Sequence, residues 1–213
     1  MLRTLYLILV LMGLFPLSST VMADTPKTST ILVWGDSLSA AYGIPVEKGW
    51  VNLMRTKLGT EFNVVNGSIS GETTAGGLSR LPKALTDYQP DYVLIELGAN
   101  DGLHGIATDI MKANLSKMIE LSQTNHAKVV LIGIQLPPNF GNAFTDKFDA
   151  TYTDLAKQYN LPLVPSLMTN VAENWDLIQA DGLHPTAEAQ PLLLENVWKV
   201  VETVLKPTTP AKS

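Results

Sequence analysis

Short runs of nearly continuous valine, isoleucine, leucine and aromatic residues are the feature that most constrains the fold of this 213-residue chain. Strands that are buried on both faces have such runs, whereas strands with one solvated face alternate apolar and polar residues. Amphipathic segments with apolar residues at helical spacing lie between the runs. Strands and helices that alternate in this way form a parallel sheet with right-handed crossovers. We therefore expect one α/β domain over residues 24–213, a three-layer sandwich in which helices flank a five-stranded, mainly parallel sheet.

The pattern of apolar residues gives the expected bounds of each element. The predicted strands cover residues 31–34, 62–65, 92–97, 129–134 and 163–164. The predicted helices cover residues 50–58, 110–121, 144–159 and 187–205. The sequence shows no internal repeat and no low-complexity linker that would indicate a second domain.

The first 23 residues differ from the rest of the chain. Arg3 precedes an uncharged apolar run over residues 5–15, and Val21 and Ala23 fit the small-residue rule for a cleavage site. The run is too short to span a bilayer but has the length of a secretory h-region. We interpret residues 1–23 as a signal peptide cleaved after Ala23, which predicts a periplasmic or secreted protein with no integral membrane span. A retained membrane anchor is the alternative.

Charge and the scarcity of certain residue types exclude several functional classes. The formal net charge is −5, and no lysine or arginine cluster is present, which argues against a nucleic-acid partner. The chain has no cysteine, so disulfides, thiol catalysis and cysteine-ligated zinc are excluded. Three scattered histidines are too few for an ordinary metal site. We expect no metal, no cofactor, a small-molecule substrate and a monomer.

Polar turns that contain glycine follow the predicted strands. In an open α/β sheet, ligands bind beyond the carboxyl ends of the strands, so chemically active residues are expected in these turns. Four such segments are present, at residues 35–37, 66–71, 98–101 and 181–184. The fold therefore predicts that they converge on one edge of the sheet.

Ser37 and His184 are the residues best suited to nucleophilic chemistry. A hydroxyl nucleophile needs a base, and a carboxylate orients that base best. Asp181 precedes His184 by three residues, a spacing that lets one turn bring the carboxylate to the imidazole Nδ1. The alternatives are that Ser37 caps a following helix, Asp181 is a turn residue, and His184 begins a helix. These residues alone leave the choice open.

An acyl-transfer site also needs fixed donors for the oxyanion. The backbone N–H groups of Ser37 and Gly71 are candidates, because glycine allows close backbone approach. Asn100 adds a side-chain amide, a neutral donor. Both segments are equally compatible with an ordinary loop or turn.

Other residues near these turns are candidates for substrate contact. The remaining histidines are His104, which we place at the rim of the site, and His126, which we interpret as a solvated helix end. Apolar residues near the turns are expected to line an acyl groove, the alternative being ordinary core packing. The predicted substrate-binding residues are Leu38, Leu103, His104, Ile106 and Pro138.

The motifs occur in a characteristic order: Gly-Asp-Ser-Leu at 35–38, Gly71, Gly-Ala-Asn-Asp at 98–101 and Asp-Gly-Leu-His-Pro at 181–185. This set resembles the SGNH (GDSL) hydrolase family, which is named for its Ser, Gly, Asn and His. The resemblance runs from Ile31 through the final predicted helix, and it is closest to the bacterial arylesterase, acyl-CoA thioesterase I and lysophospholipase L1 group.

The resemblance implies a flavodoxin-like sheet and assigns a role to each motif. Ser37 matches the nucleophile, Asp181 and His184 match the rest of the triad, and Gly71 and Asn100 match the oxyanion donors. The implied activity is hydrolysis of esters, thioesters or lysophospholipids through an acyl-serine intermediate. Carbohydrate O-deacetylation on the same scaffold is the alternative, followed by a catalytically inactive binding module.

The chain departs from the group at a few positions. Ala99 stands where some members have glycine, His104 where some have arginine, and Glu72 where aspartate is common. None of these is a triad position. Since the loop after Asn100 helps to shape the acyl site in this group, the acyl-length preference is left undetermined.

Overall fold

The computed structural model describes residues 28–136 and 140–205. The predicted signal peptide, residues 1–23, lies outside the described residues, as does Pro138. Among the described residues, no helix has the length and apolar character needed to cross a membrane.

The five predicted strands form a single sheet. They are Ser29–Gly35 (β1), Phe62–Asn66 (β2), Tyr92–Glu96 (β3), Lys128–Ile132 (β4) and Leu163–Val164 (β5). Every neighbouring pair is parallel, and the strand order is β2-β1-β3-β4-β5. The apolar run of β1 reflects burial on both faces of the sheet, because Ile31, Leu32 and Val33 are completely buried. The predicted α/β fold is confirmed.

Within the described residues, six α-helices connect and flank the strands. They are Trp50–Leu58 (α1), Thr74–Tyr88 (α2), Ala99–Leu103 (α3), Thr108–Thr124 (α4), Asn142–Tyr159 (α5) and Gln190–Leu205 (α6). The prediction gave the bounds of α1 correctly and those of α4 and α5 slightly too short. It began α6 too early, since a turn in which Ala189 N–H donates to Thr186 O precedes this helix. It missed α2 and α3.

Helix α2 contains residues that disfavour helices, namely Gly76, Gly77 and Pro82. Packing compensates for this composition. The Nε1–H of Trp34 donates to Gly77 O over 3.1 Å, and a Cβ on Gly77 would lie 2.4 Å from Leu97 Cδ1. The glycine therefore lets the helix approach the sheet closely.

The strand order determines which face each helix covers. The chain moves from β1 to one side to form β2, then crosses back to form β3, β4 and β5. Because right-handed crossovers in opposite directions place their helices on opposite faces, α1 is separated from α2, α4 and α5. The packing agrees, since α1 contacts α6, while α2 contacts α4 and α4 contacts α5. The direction reverses between β1 and β3, and open α/β sheets bind their ligands beyond the carboxyl ends of the strands at such a reversal.

Candidate active site

The segment that follows β1 is a series of turns and not a helix. Ala40 N–H donates to Asp36 O (2.9 Å) and Tyr42 N–H donates to Ser37 O (3.2 Å), but the first α-helix begins only at Trp50. Ser37 is therefore not a helix cap. The side chain that stabilises this turn is that of Asp36, whose Oδ1 accepts from Leu38 N–H over 3.0 Å. The Ser37 hydroxyl is left available for another partner.

Asp181 and His184 lie in the turn of a short antiparallel hairpin. Thr186 N–H donates to Leu177 O and Gln179 N–H donates to His184 O, each over 2.7 Å. Gly182 has φ = +75°, a conformation that glycine adopts without strain. We call residues 177–186 the acid–base hairpin. It precedes α6, so His184 does not begin a helix.

Asp181 uses its two oxygens for different tasks. Its Oδ1 accepts from the N–H groups of Leu183 (2.9 Å) and His184 (3.0 Å), which fixes the turn. Its Oδ2 lies 2.7 Å from His184 Nδ1. Burial raises the pKa of Asp181, but the backbone N–H groups of His184 and Leu183 and the imidazole outweigh it and hold the pKa at about 2. The carboxylate is therefore ionised at neutral pH.

The hairpin brings His184 to the turn after β1. The Nε2 atom of His184 lies 2.8 Å from Ser37 Oγ. Because a carboxylate only accepts hydrogen bonds, Nδ1 carries the imidazole proton and Nε2 accepts from the serine hydroxyl. The three groups are hydrogen-bonded in the order hydroxyl, imidazole base and carboxylate. This arrangement can activate serine as a nucleophile.

Asn100 lies at the amino end of α3, next to the turn after β1. Its Nδ2 donates to Asp36 Oδ2 over 3.2 Å and to Glu72 O over 2.9 Å. Gly71 directly precedes Glu72 and has φ = +79°, which accounts for glycine at this position. Within residues 28–136 and 140–205, the N–H groups of Ser37 and Gly71 have no hydrogen-bond acceptor. The Asn100 amide thus contacts the residue before Ser37 and the residue after Gly71, and an oxyanion would compete with Glu72 O for this amide.

Two buried carboxyl groups lie beneath the turn after β1. Asp36 and Glu96 are completely buried, and Glu96 Oε2 accepts from Ser39 Oγ (2.6 Å) and from Asp36 N–H (3.3 Å). Burial raises the pKa of Asp36 to about 7, reinforced by the charge of Asp101. Burial also raises the pKa of Glu96 well above its usual range, with the Asp36 charge adding to the effect. These groups brace the turn and do not face substrate.

Asp101 braces a different junction. It is buried and accepts hydrogen bonds from both the backbone N–H and the hydroxyl of Thr74, the first residue of α2. The loop after β3 is therefore joined to the helix that follows the Gly71 loop.

The predicted substrate-contact residues occupy different environments. Leu103 and His104 are exposed at the end of α3, and Ile106 is half-buried beyond it. Leu38 is buried within the hydrophobic core, which leaves little of its surface for a ligand. His126 lies just before β4, at the edge of the sheet opposite to Ser37. Within the described ranges, no group of three or more potential metal-ligating side chains is found.

Three residues of this site were not identified from the sequence. The ring of Tyr42 stacks on His184 with centroids 4.4 Å apart and a tilt of 39°. The side chain of Gln179 joins the two catalytic segments. Glu96 carried a detectable signal, since it is the only charged residue in the apolar run at 92–97, whereas Tyr42 and Gln179 had none.

Comparison with known proteins places this geometry in a family. The model of the GDSL-like Lipase/Acylhydrolase family matches residues 33–191. The chain is 44% identical over 192 residues to Esterase TesA of Pseudomonas aeruginosa, covering 89% of this chain and 96% of the relative. It is 45% identical over 178 residues to an arylesterase of Vibrio mimicus, covering 82% and 89%. It is 38% identical over 176 residues to thioesterase 1/protease 1/lysophospholipase L1 of Escherichia coli, covering 83% and 85%.

Solved structures agree with the sequence relatives. The crystal structure of TesA superposes with a TM-score of 0.81 at 46% identity, covering 83% of this chain and all of the other. The esterase EstA of Pseudoalteromonas sp., inhibited by monoethylphosphonate, superposes with a TM-score of 0.79 at 41% identity, covering 83% and 98%. The chain described here therefore belongs to the GDSL-like lipase/acylhydrolase family.

Proposed function

We propose that this protein hydrolyses carboxylic esters and thioesters through an acyl-serine intermediate on Ser37. The hydrogen-bonded series from Asp181 through His184 to Ser37 Oγ is the observation that carries the proposal. The names of the relatives, which include esterase, arylesterase, thioesterase and lysophospholipase, support this substrate class over carbohydrate O-deacetylation or an inactive binding module.

In the first half-reaction, His184 Nε2 takes the hydroxyl proton as Ser37 Oγ attacks the acyl carbonyl carbon. The tetrahedral intermediate collapses with cleavage of the C–O or C–S bond, and His184 returns the proton to the leaving oxygen or sulfur. In the second, His184 deprotonates water, which attacks the acyl carbon. The second tetrahedral intermediate collapses with cleavage of the bond between the acyl carbon and Ser37 Oγ, and His184 returns the proton to Oγ as the acid is released. Asp181 stays ionised throughout and stabilises the imidazolium.

The oxyanion is held by the N–H groups of Ser37 and Gly71 and by the amide of Asn100. Fixed donors stabilise developing charge without reorganisation, and this is usually the largest contribution to acyl transfer. The two backbone N–H groups meet this condition among the described residues, whereas the Asn100 amide must exchange Glu72 O for the oxyanion. The Asp36 carboxylate accepts from Asn100 and so keeps its amide directed toward the turn after β1.

The acyl chain is proposed to lie along the residues that follow Asn100. Leu103, His104 and Ile106 are exposed or half-buried there, whereas Leu38 is buried in the core and contributes little to the predicted groove, and Pro138 stays a sequence-based prediction. Apolar residues at its mouth fit a lipid-like acyl chain better than a sugar.

Labelling of Ser37 with a fluorophosphonate, combined with hydrolysis of p-nitrophenyl esters from acetyl to palmitoyl and of a lysophospholipid, tests the proposal. Ser37→Ala should abolish labelling and lower kcat by on the order of 10³-fold or more. Ser79→Ala, which removes an exposed hydroxyl from α2, is the matched control and should behave as the wild type. If Ser37→Ala retains wild-type hydrolysis, the proposed nucleophile is wrong.

We also propose that residues 1–23 direct export and are removed after Ala23, which yields a monomeric periplasmic or secreted enzyme. The apolar run and the small residues before the cleavage site support this. The mass of the exported protein tests it: a chain that begins at Asp24 is expected, and an intact amino terminus would contradict cleavage.

A further inference from the structure

The side-chain amide of Gln179 joins the two segments that carry the proposed nucleophile and base. Its Nε2 donates to Tyr42 O, in the turn after β1, and to Pro185 O, in the acid–base hairpin, each over 2.9 Å. Its backbone also holds the hairpin, because Gln179 N–H donates to His184 O. One residue thus contacts both sides of the site without touching the reacting atoms.

The chemistry of the partners determines how this amide is oriented. Both partners are carbonyl oxygens, which only accept hydrogen bonds, so the amide nitrogen must face them and both of its hydrogens are used. The amide oxygen lies against Gly43, where an added Cβ would be only 2.2 Å from Oε1. Gly43 also has φ = +73°. The turn after β1 therefore provides both an acceptor and the space for this side chain.

The acid–base hairpin has several hydrogen bonds that do not involve the Gln179 amide. The Asp181–His184 contact and the turn hydrogen bonds all lie within residues 177–186. The distance between His184 Nε2 and Ser37 Oγ instead depends on where the whole hairpin sits relative to the turn at residues 37–43. In the part of the chain that the structure describes, the Ser37–His184 contact and the Gln179–Tyr42 contact are the hydrogen bonds between these two segments.

We propose that Gln179 is a positioning residue that sets the distance between Ser37 and His184 for acylation. This inference rests on the proposed function, since it concerns the same serine and histidine. Loss of the amide leaves the Asp181–His184 pair intact but lets the hairpin shift relative to the nucleophile. A shift of about 1 Å in a reacting pair lowers rates by on the order of 10²-fold.

Two variants of similar size and shape isolate the amide donors. Gln179→Met removes both donors without adding charge, and Gln179→Glu replaces them with a carboxylate that faces two carbonyl oxygens. We expect the rate of fluorophosphonate labelling and kcat to fall by about 10- to 100-fold in both, with KM within about 2-fold of wild type. Gln158→Glu, an exposed site on α5, makes the same charge change away from the site and should leave both rates unchanged.

The pH dependence separates positioning from a structural effect. A protonated glutamic acid regains one O–H donor, so the activity ratio of Gln179→Glu to Gln179→Met should rise as pH falls toward the usual carboxyl pKa of about 4.3. The melting temperature and the downfield NMR signal of the His184 Nδ1 proton should match the wild type in both variants. Loss of that signal, a large fall in melting temperature or a flat activity ratio would overturn the inference.

Wild-type labelling rates in both variants would overturn it as well. Ser37→Ala, assayed alongside, distinguishes failure of the proposed function. If Ser37→Ala is labelled and active, the nucleophile is wrong; if it is inert while the Gln179 variants behave as the wild type, only the positioning role is wrong.

Discussion

Asn100 Nδ2 donates a 3.2 Å hydrogen bond to Asp36 Oδ2, which links the second residue of α3 to the residue before Ser37. The two side chains are 64 positions apart in sequence and meet where the direction of the chain reverses between β1 and β3. Asp36 is completely buried, so its position is fixed by packing. An amide proposed to hold the oxyanion is thus oriented by a completely buried carboxyl group.

Replacement of Asn100 by alanine should lower kcat for p-nitrophenyl ester hydrolysis by on the order of 10²- to 10³-fold with little change in KM. The amide stabilises charge that develops only in the transition state, so substrate binding is largely unaffected. Asn125→Ala, which removes an exposed amide at the end of α4, serves as the control. If KM instead rises by a similar factor while kcat is unchanged, Asn100 contributes to binding of the substrate in its ground state.

The raised pKa of Asp36 predicts how stability depends on pH. Its pKa is about 7 in the folded protein, against an ordinary value of 3.8, so the folded state binds the proton more tightly. The resulting stabilisation is present below pH 3.8 and is lost as pH rises through about 7. The difference in unfolding free energy between the wild type and Asp36→Asn should therefore fall by up to ~4 kcal/mol over this range.

Urea unfolding at a series of pH values measures this difference. Asp36→Asn also loses one acceptor, since a single amide oxygen cannot serve both Leu38 N–H and the Asn100 amide, so the variant is less stable at low pH. Asp87→Asn, at an exposed carboxyl, provides the comparison and should follow the wild-type curve. Parallel curves for the wild type and Asp36→Asn would contradict the prediction.

Asp181→Asn should lower kcat by on the order of 10³-fold without unfolding the hairpin. An asparagine oxygen can still accept from the N–H groups of Leu183 and His184, but its amide nitrogen then faces His184 Nδ1 and favours the wrong tautomer. Because the pKa of Asp181 is about 2, this carboxyl does not titrate between pH 5 and 8. The wild type therefore keeps its carboxylate over this whole range, and the ratio of wild-type to variant kcat should not change with pH. Recovery of the variant's kcat at any pH between 5 and 8 would contradict the assignment.

Arg80 is expected to stabilise the Gly71 loop. Its Nε lies 2.6 Å from Glu72 Oε2, its guanidinium lies 4.1 Å from the centroid of the Trp34 ring, and it donates to Gly67 O. Arg80→Ala leaves the mostly buried Glu72 carboxylate without this partner, so we expect a loss of ~1–3 kcal/mol in unfolding free energy. Denaturant titration measures it.

Lys83→Ala provides the matched control on the same helix. Lys83 pairs with Asp87 on an exposed surface, and its removal should destabilise the protein less than removal of Arg80, because exposed ion pairs contribute little to stability. Equal losses in the two variants would show that the Glu72 contact contributes no more than a surface pair.

The sequence predicted the strands and the active-site motifs because each has a local signal. Buried parallel strands require continuous apolar runs. The polar residues that follow the strands stand next to glycines, which mark the turns. Helix α2 had no such signal, since Gly76, Gly77 and Pro82 are tolerated only because Trp34 and Leu97 pack against the helix. Gln179 was missed for a related reason, because its function comes from two carbonyl oxygens that are neighbours only in the folded chain.

The acid–base hairpin lies near the end of the chain and is therefore synthesised late. Ser37 and its oxyanion donors lie in the first half of the chain, whereas the histidine that would activate the serine lies 147 positions later. A chain that ends before residue 181 contains the nucleophile but neither the base nor the carboxylate. On the proposed assignment, a ribosome-bound chain therefore carries an unactivated serine, and we expect hydrolytic activity only after nearly the whole protein has been synthesised and the hairpin has docked.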